Sequence, residues 1–372
     1  FRQLFELHFF RRKFLALALI ATLALSTLGA AFAEEGKPYK IGMLPQFIGE
    51  NYFDGCRAGA ESAAKDFGVN FVYDGPNQSE ATNAKQVEIL TGWMAAGDFD
   101  AFIVSPCDSE GILPTLYAAQ EMGIAVITFD SDTPDMNART FFVNQAPADA
   151  LAEAMVTIVA EDLAKHGFGE GVGARLAMIS SSGLDQNANA WALAVKNYCA
   201  ANFPWITVNT DETGYLGPDI WTPGSDESAA QAAANETIAL SGDAKDGSEI
   251  NAIIGLSSMA TPALAAAWNA TVGQKPVVSI TGLATPMALV DYILDEENPM
   301  KYGVLWDVND LGYLSVESTV AYLDGTIEPV AGNTFESSLG TKQFAIGVFG
   351  GLDLLLGDAL IFGADTVEDY DY

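Results

Sequence analysis

From Tyr39 onward the chain alternates short apolar runs with amphipathic stretches of helical period, the pattern that βαβ units leave in a sequence. The runs YKIGML (39–44), NFVYD (70–74), AFIVS (101–105), AVITF (125–129) and TFFVN (140–144) predict strands, with helices over 54–67, 80–96 and 110–122 between them. A second series follows Gln145: ARLAMIS (174–180), ITVNT (206–210), INAIIGL (250–256), PVVSITG (276–282) and YGVLW (302–306). Two successive series of similar size predict an α/β fold with two doubly wound parallel-sheet lobes. Ligands of such sheets bind beyond the carboxyl ends of the strands.

Those strand ends are polar. After the first series stand Gln46, Glu50 to Phe53, Asp108, Asp130 to Asp132 and Asn144-Gln145; after the second, Ser181 to Asn187, Ser257 to Pro262, Thr285-Pro286 and Asp307. The mixture suits a polyhydroxylated ligand, whose hydroxyls donate to Asp and Asn oxygens and whose C–H faces lie on Tyr52, Phe53, Trp191 or Trp306. Taken singly, an Asp or Asn at a strand end more often caps the next helix or makes a turn. Taken together, their convergence on one cleft favours binding.

The amino-terminal segment changes the charge arithmetic. Arg11, Arg12 and Lys13 precede an apolar stretch from Phe14 to Leu28, and Ala31-Phe32-Ala33 supplies small residues before Glu34, so residues 1–33 read as a cleaved secretory signal peptide rather than a membrane anchor. The whole chain, 372 residues, carries −32; without the leader the charge becomes −35. Such a surplus of carboxylates opposes phosphate neutralisation, so a nucleic-acid partner is excluded, and so is docking on anionic lipid. It fits a solvated acidic surface suited to salt-rich water. A second apolar region, Phe344 to Gly363, is interrupted by Asp353 and Asp358 and reads as core strand and turn.

Catalytic signatures are sparse. His166 is the only histidine after the leader and sits in KHGFGEG, where a helix end is the ordinary explanation. Serine triads and histidine metal sites fall with it. The glycines at 167, 169, 171 and 173 mimic a dinucleotide fingerprint, but they follow a helix and precede a strand, the reverse of what a phosphate loop needs. Cys56, Cys107 and Cys199 are too widely spaced for a metal site; a Cys56–Cys107 bridge and buried thiols both fit their number. No cofactor and no metal are expected. Asp130 and Asp132 in FDSD leave one enzymatic alternative, a carbohydrate-processing enzyme with carboxylates facing across a cleft.

YFDGCRAGAESAAKDFGV (52–69), AVITFDSDTP (125–134) with FFVNQ after it, DQNANAW (185–191), SSMATPALAAAW (257–268), ITGLATP (280–286) and YGVLWDVNDLGYLSV (302–316) together resemble one family. They are similar to the periplasmic sugar-binding proteins of ABC importers, the ribose-binding-like type I group, and within it the rhamnose-binding and autoinducer-2-binding receptors. The resemblance runs from about Tyr39 to about Val367. It implies two lobes joined by a three-stranded hinge: 38–145 plus 307–330 as the N-terminal lobe, 146–306 plus 331–372 as the C-terminal lobe, with Gln145 and Trp306-Asp307 at hinges.

Residue by residue, the resemblance implies that Asp130 binds ligand hydroxyls, that Asp185 and Gln186 form the Asp-Gln pair contacting autoinducer-2, and that Pro262 offers a backbone carbonyl. Tyr52 and Phe53 match the stacking aromatic pair, and Asn187, Met259 and Asp307 match further pocket positions. Gln46 stands where the autoinducer receptors carry Lys, and Glu50-Asn51 replaces the common Asn-Pro, so Gln46 and Asn51 are expected in an altered pocket wall. Leu264 replaces a smaller residue. The segment 214–228 is longer than its counterpart, and Trp221 within it borders the cleft or packs on the surface. The implied function is a non-enzymatic, monomeric periplasmic receptor. It captures a small neutral sugar or polyol, rhamnose-type, for an ABC permease of the inner membrane, with an autoinducer-2 receptor as the alternative.

Overall fold

A computed structural model describes residues 38–372 except 225, 272–277, 348, 349 and 371. The expected leader, 1–33, and the first two residues of the strand expected at 276–282 lie outside the described residues. The first sheet holds β1 (Lys40–Leu44), β2 (Asn70–Tyr73), β3 (Ala101–Val104), β4 (Ala125–Phe129) and β5 (Phe142–Asn144), parallel and ordered β5-β4-β3-β1-β2. Between them run α1 (Asn51–Asp66), α2 (Asn83–Ala96) and α3 (Leu113–Glu121).

Side-chain alternation divides this sheet's two faces. Ile41, Met43, Ala101, Ile103, Ile127 and Phe129 join the main core, whereas Leu44, Phe102, Val104 and Val126 join a second cluster with Leu90 of α2 and Leu116 of α3. Both faces are apolar because helices cover both. Thr82 caps α2 by accepting from the Lys85 N–H, and Gly97, left-handed at φ 69°, ends it.

The second sheet runs β10 (Ser279–Gly282), β9 (Ala252–Gly255), β6 (Ala174–Ile179), β7 (Ile206–Thr207), again parallel, with α4 (Ala148–Lys165), α5 (Gln186–Asn202), α6 (Glu227–Ala239), α7 (Ala260–Ala270) and α8 (Pro286–Ile293). The strand expected at 206–210 stops at Thr207, and β8 (Ile220–Trp221) takes up the same edge of β6 further along. The long segment is thus an insertion in an edge strand, anchored by Asp219, fully buried and paired with Arg175. Trp221 belongs to this sheet and does not line the cleft described below.

The carboxyl-terminal fifth corrects one expected boundary. After β11 (Tyr302–Leu305) and α9 (Val308–Leu323), the strands β12 (Thr334–Ser337), β13 (Gly340–Ile346) and β14 (Leu352–Leu355) extend the first sheet, β14 lying parallel to β5. Only β15 (Leu360–Gly363) returns, antiparallel to β11. Residues 334–355 therefore build on the first sheet, not with the second as the expected 331–372 assignment had it. The free edge of β5 offered them unpaired backbone groups. The chain accordingly crosses between the two halves near 145–147, 306–307 and 356–359. The first and third crossings run side by side, with Leu356 N–H donating to Asn144 O at 2.8 Å and Gly357 N–H to Gln145 O at 3.3 Å.

The second crossing is held by α9 lying against α1. A Cβ at Gly59 would fall 1.8 Å from the Asn309 carbonyl oxygen, and one at Gly312 would fall 1.8 Å from that of Cys56, so the two helices meet backbone to backbone. Gly312→Ala is expected to force them apart and cost about 2–3 kcal/mol in denaturant unfolding. Gly92→Ala, in α2 with nothing within 4 Å of the added methyl, is expected to stabilise by up to about 1 kcal/mol. Equal effects of the two would contradict the close crossing.

Among the described residues no helix is long and apolar enough to cross a membrane. The Phe344–Gly363 region forms the end of β13 together with β14 and β15, as its interrupting aspartates suggest.

Candidate functional site

Beyond the carboxyl ends of both sheets lies a cleft enclosing about 600 Å³ of empty space, its mouth included. From the first half it is lined by Gln46, Phe47, Tyr52, Phe53 and Asp130; from the second by Ser181, Asp185, Trp191, Ser257, Ser258 and Met259, with Trp306 at the second crossing. Among the described residues, no Lys or Arg side chain lines it.

Asp130 is the most constrained of these groups. It follows β4, is 9% exposed, and is the non-glycine residue with positive φ, 60°, among those described. The left-handed conformation costs a non-glycine residue about 1 kcal/mol or more and persists where surrounding contacts enforce it. Here its carbonyl accepts from Gln145 Nε2 at 2.7 Å and from Asn187 Nδ2 at 2.8 Å. Its carboxylate accepts from the Tyr52 hydroxyl at 2.8 Å, the Ser105 hydroxyl at 2.6 Å and Gln145 Nε2 at 3.2 Å. Residues from both halves and from a crossing thus fix Asp130, backbone and carboxylate together, at the base of the cleft.

The aromatic wall is equally built. The Tyr52 ring stands edge-on to Phe53 at 5.1 Å and to Trp306 at 6.0 Å, and Trp306 tilts against Trp191 at 5.6 Å. Asp185 serves α5 as its amino-terminal cap, accepting from the N–H groups of Asn187 and Ala188, and it also accepts from Ser181 Oγ and, across the halves, from Ser131 Oγ at 3.1 Å. Capping and cleft lining are here one residue's two tasks. Further bonds join the halves around the cleft: Ser109 Oγ donates to Leu184 O at 2.9 Å, Gln78 Nε2 to Met259 Sδ at 3.3 Å, and Ser258 hydrogen-bonds Glu50.

Of the expected site residues, Gln46, Tyr52, Phe53, Asp130, Asp185 and Met259 line the cleft. Asn187 stands behind it, bridging Asp130 O and Gln145 Oε1. Asn51 and Pro262 line a neighbouring groove, with Glu50, Gln78 and Tyr292, that shares Ser258 and Met259 with the cleft. Gln186 opens α5 and Asp307 caps α9 by accepting from the Asp310 N–H; neither lines the cleft. Sequence reading missed Phe47 as a lining residue and missed Ser105 as a partner of Asp130. Phe47 follows a predicted strand and Ser105 ends one, but neither residue type by itself signals a pocket.

Asp132, the other half of the proposed acid pair, points elsewhere. Its carboxylate is bonded by Arg139 Nε at 2.9 Å and Thr128 Oγ1 at 2.6 Å, and it does not line the cleft. Two facing catalytic carboxylates therefore do not arise from FDSD. The cysteines are free thiols, Cys107 donating to Gln46 O at 3.1 Å. His166 ends α4 at the surface, with Nδ1 placed 2.8 Å from Asp162 O. No cluster of metal-ligating side chains occurs among the described residues.

Burial without a nearby cation pushes Asp130 up to about 7, with Asp185 adding to the rise, and burial raises Glu50 to about 7 as well. In the unfolded chain both titrate near 4. Between about pH 4 and 7 the folded state therefore holds protons that the unfolded state has released, so their contribution to stability is complete below that window and lost as pH rises through about 7. The melting temperature of the ligand-free protein is expected to fall between about pH 5 and 8, with a shallower slope in Asp130→Asn. Identical slopes in variant and parent would contradict the assignment to Asp130.

Comparison with known proteins agrees with this architecture. The family model described as "Periplasmic binding protein domain" matches residues 41–327. A D-ribose/D-allose-binding protein of Pseudomonas aeruginosa is 25% identical over 122 residues, an alignment covering 32% of this chain and 38% of that relative. Among solved structures, LsrB from Clostridium saccharobutylicum in complex with AI-2 superposes with TM-score 0.76 at 23% identity, covering 90% of this chain and all of that one. A solute-binding protein from Clostridium phytofermentas with bound L-rhamnose gives 0.76 at 21%, covering 90% and 98%. One from Burkholderia graminis in complex with D-arabinose gives 0.68 at 18%, covering 90% and 99%. At these identities the structural likeness speaks for the fold, and the family model for membership. With two doubly wound sheets, a cleft at their carboxyl ends and a model match spanning most of the chain, this protein belongs to the periplasmic binding protein domain family.

Proposed function

We propose that the protein is a non-enzymatic solute receptor of an ABC importer, located in the periplasm as a monomer, that captures a neutral monosaccharide-like ligand of rhamnose type and delivers it to an inner-membrane permease. The observation that carries this reading is Asp130. Its carboxylate is fixed by Tyr52, Ser105 and Gln145 beside a wall of aromatic rings, in a cleft that no cation lines among the described residues. Such a site accepts hydroxyl donors and packs C–H faces, and its two acidic residues repel anions. Contacts from both halves, Ser131 with Asp185 among them, make closure around the ligand a shift of population toward the closed form.

The autoinducer-2 reading draws on the likeness to LsrB. Against it stands Gln46, whose amide donates to Pro106 O at 3.3 Å and brings no charge to the cleft. Isothermal titration with L-rhamnose, D-arabinose, D-ribose and AI-2 separates these readings. The expected result is micromolar binding, about −8 kcal/mol, of one neutral sugar that is recovered intact. Binding of an amino acid or nucleoside but of no sugar overturns the proposal, and turnover of a bound glycoside overturns its non-enzymatic part.

A further inference from the structure

The cleft is rich in acceptors and poor in free donors, and one donor in it has no use in the protein. Trp306 is 2% exposed and its ring lines the cleft, yet its indole N–H meets no acceptor among the described residues. A buried polar group left unpaired costs about 1–3 kcal/mol, and such groups in native proteins call for an explanation. The neighbours explain the ring but not the nitrogen. Tyr52 and Trp191 hold the indole by ring contacts, which leave its nitrogen without an acceptor among the described residues. A phenylalanine would serve the packing without leaving a donor unpaired.

We propose that the Trp306 N–H is a specificity-determining donor for the ligand, donating to a ring, carbonyl or hydroxyl oxygen that the sugar presents on that side while other hydroxyls donate to Asp130. The proposal rests on the sugar-receptor reading and sharpens it. Sugar hydroxyls donate to the carboxylate; the indole, a donor only, adds a demand for a sugar oxygen with a free lone pair on its side. Because α9 begins two residues later and packs on α1, the donor also sits where the second crossing joins the halves, so its bond to ligand forms in the closed arrangement.

The test uses the full mature protein with indole nitrogens labelled by ¹⁵N, the Trp306 signal being assigned by its loss in Trp306→Phe. In the ligand-free protein that N–H is expected to resonate as an unbonded indole, and on saturation with the sugar that binds best among L-rhamnose, D-arabinose and D-ribose it is expected to move downfield. Trp306→Phe, which keeps a ring against Tyr52 and Trp191, is expected to lower affinity for that sugar about tenfold or more. Trp191→Phe serves as the companion variant, since its ring also lines the cleft and it reports the effect of trimming an indole there. A downfield, hydrogen-bonded Trp306 signal before any sugar is added overturns the proposal whatever binds. Heat of binding with an unmoved Trp306 signal and an unchanged Trp306→Phe affinity also overturns it, while leaving the sugar reading intact. Absence of binding by every sugar overturns the sugar reading instead, and this proposal with it.

Discussion

Asp130→Ala is expected to reduce sugar affinity by about 100-fold or more, because charge-assisted hydrogen bonds to ligand contribute about 1.5–3 kcal/mol each and more than one is lost. The loss extends beyond the ligand. The Tyr52 and Ser105 hydroxyls and the Gln145 amide lose their acceptor and turn toward whatever else is near. Alanine also tolerates φ of 60° less well than aspartate, so the loop after β4 relaxes away from Gln145 and Asn187. Asp130→Asn separates the two causes, since asparagine accepts the left-handed conformation but not the charge. It is expected to lose affinity by a smaller factor, about tenfold, without lowering the melting temperature near pH 8, where the buried carboxylate of the parent is unpaired by any cation. Isothermal titration of both variants against the same sugar decides the matter. Affinity of Asp130→Ala within threefold of the parent would remove Asp130 from the binding site.

The second large effect concerns stability rather than affinity. Arg139, 4% exposed, bonds Asp132, donates to Leu352 O at 3.1 Å and lies 3.7 Å from Asp353, tying the loop after β4 to β14. Arg139→Met is expected to cost about 3–5 kcal/mol, since it leaves Asp132 buried without its partner. Asp353 is already raised to about 6 by burial, with Asp132 adding to it and Arg139 holding it down. Removing the cation raises it further, so the variant is expected to be least stable at high pH, where the Asp353 carboxylate is charged. The double variant Arg139→Met with Asp132→Asn is expected to recover part of the loss in denaturant melts, as neighbours sharing one bond are not additive. Losses that simply add would mean that the pair is not coupled.

Arg139 and Asp132 also mark where reading from sequence stops. FDSD shows two acids one residue apart and nothing of their surroundings. Asp130 turns to Tyr52 and Ser105, Asp132 to Arg139 and Thr128, because the left-handed turn at Asp130 sends the chain back on itself directly after β4. The same limit separates Met259, which lines the cleft, from Pro262, which lies in the neighbouring groove: they stand at the start of one helix, and its rotation relative to the first half decides which faces the ligand.

The strands and helices themselves were legible, since apolar runs and helical periods are local properties and each βαβ unit covers its own sheet face. Strand-end polarity pointed to the ends of the strands by the same logic, and Gln46, Tyr52, Phe53, Asp130 and Asp185 line the cleft there. The sequence by itself therefore determined two doubly wound sheets, the ends at which chemistry gathers, and a surplus of carboxylates over cations. Tertiary structure alone decided that β12, β13 and β14 return to the edge of β5, that Asp132 leaves the cleft for Arg139, and that the Trp306 N–H meets no acceptor among the described residues. Each of these depends on pairing between segments far apart in the chain, where a free strand edge or a buried charge chooses among distant partners by geometry that composition and periodicity do not encode.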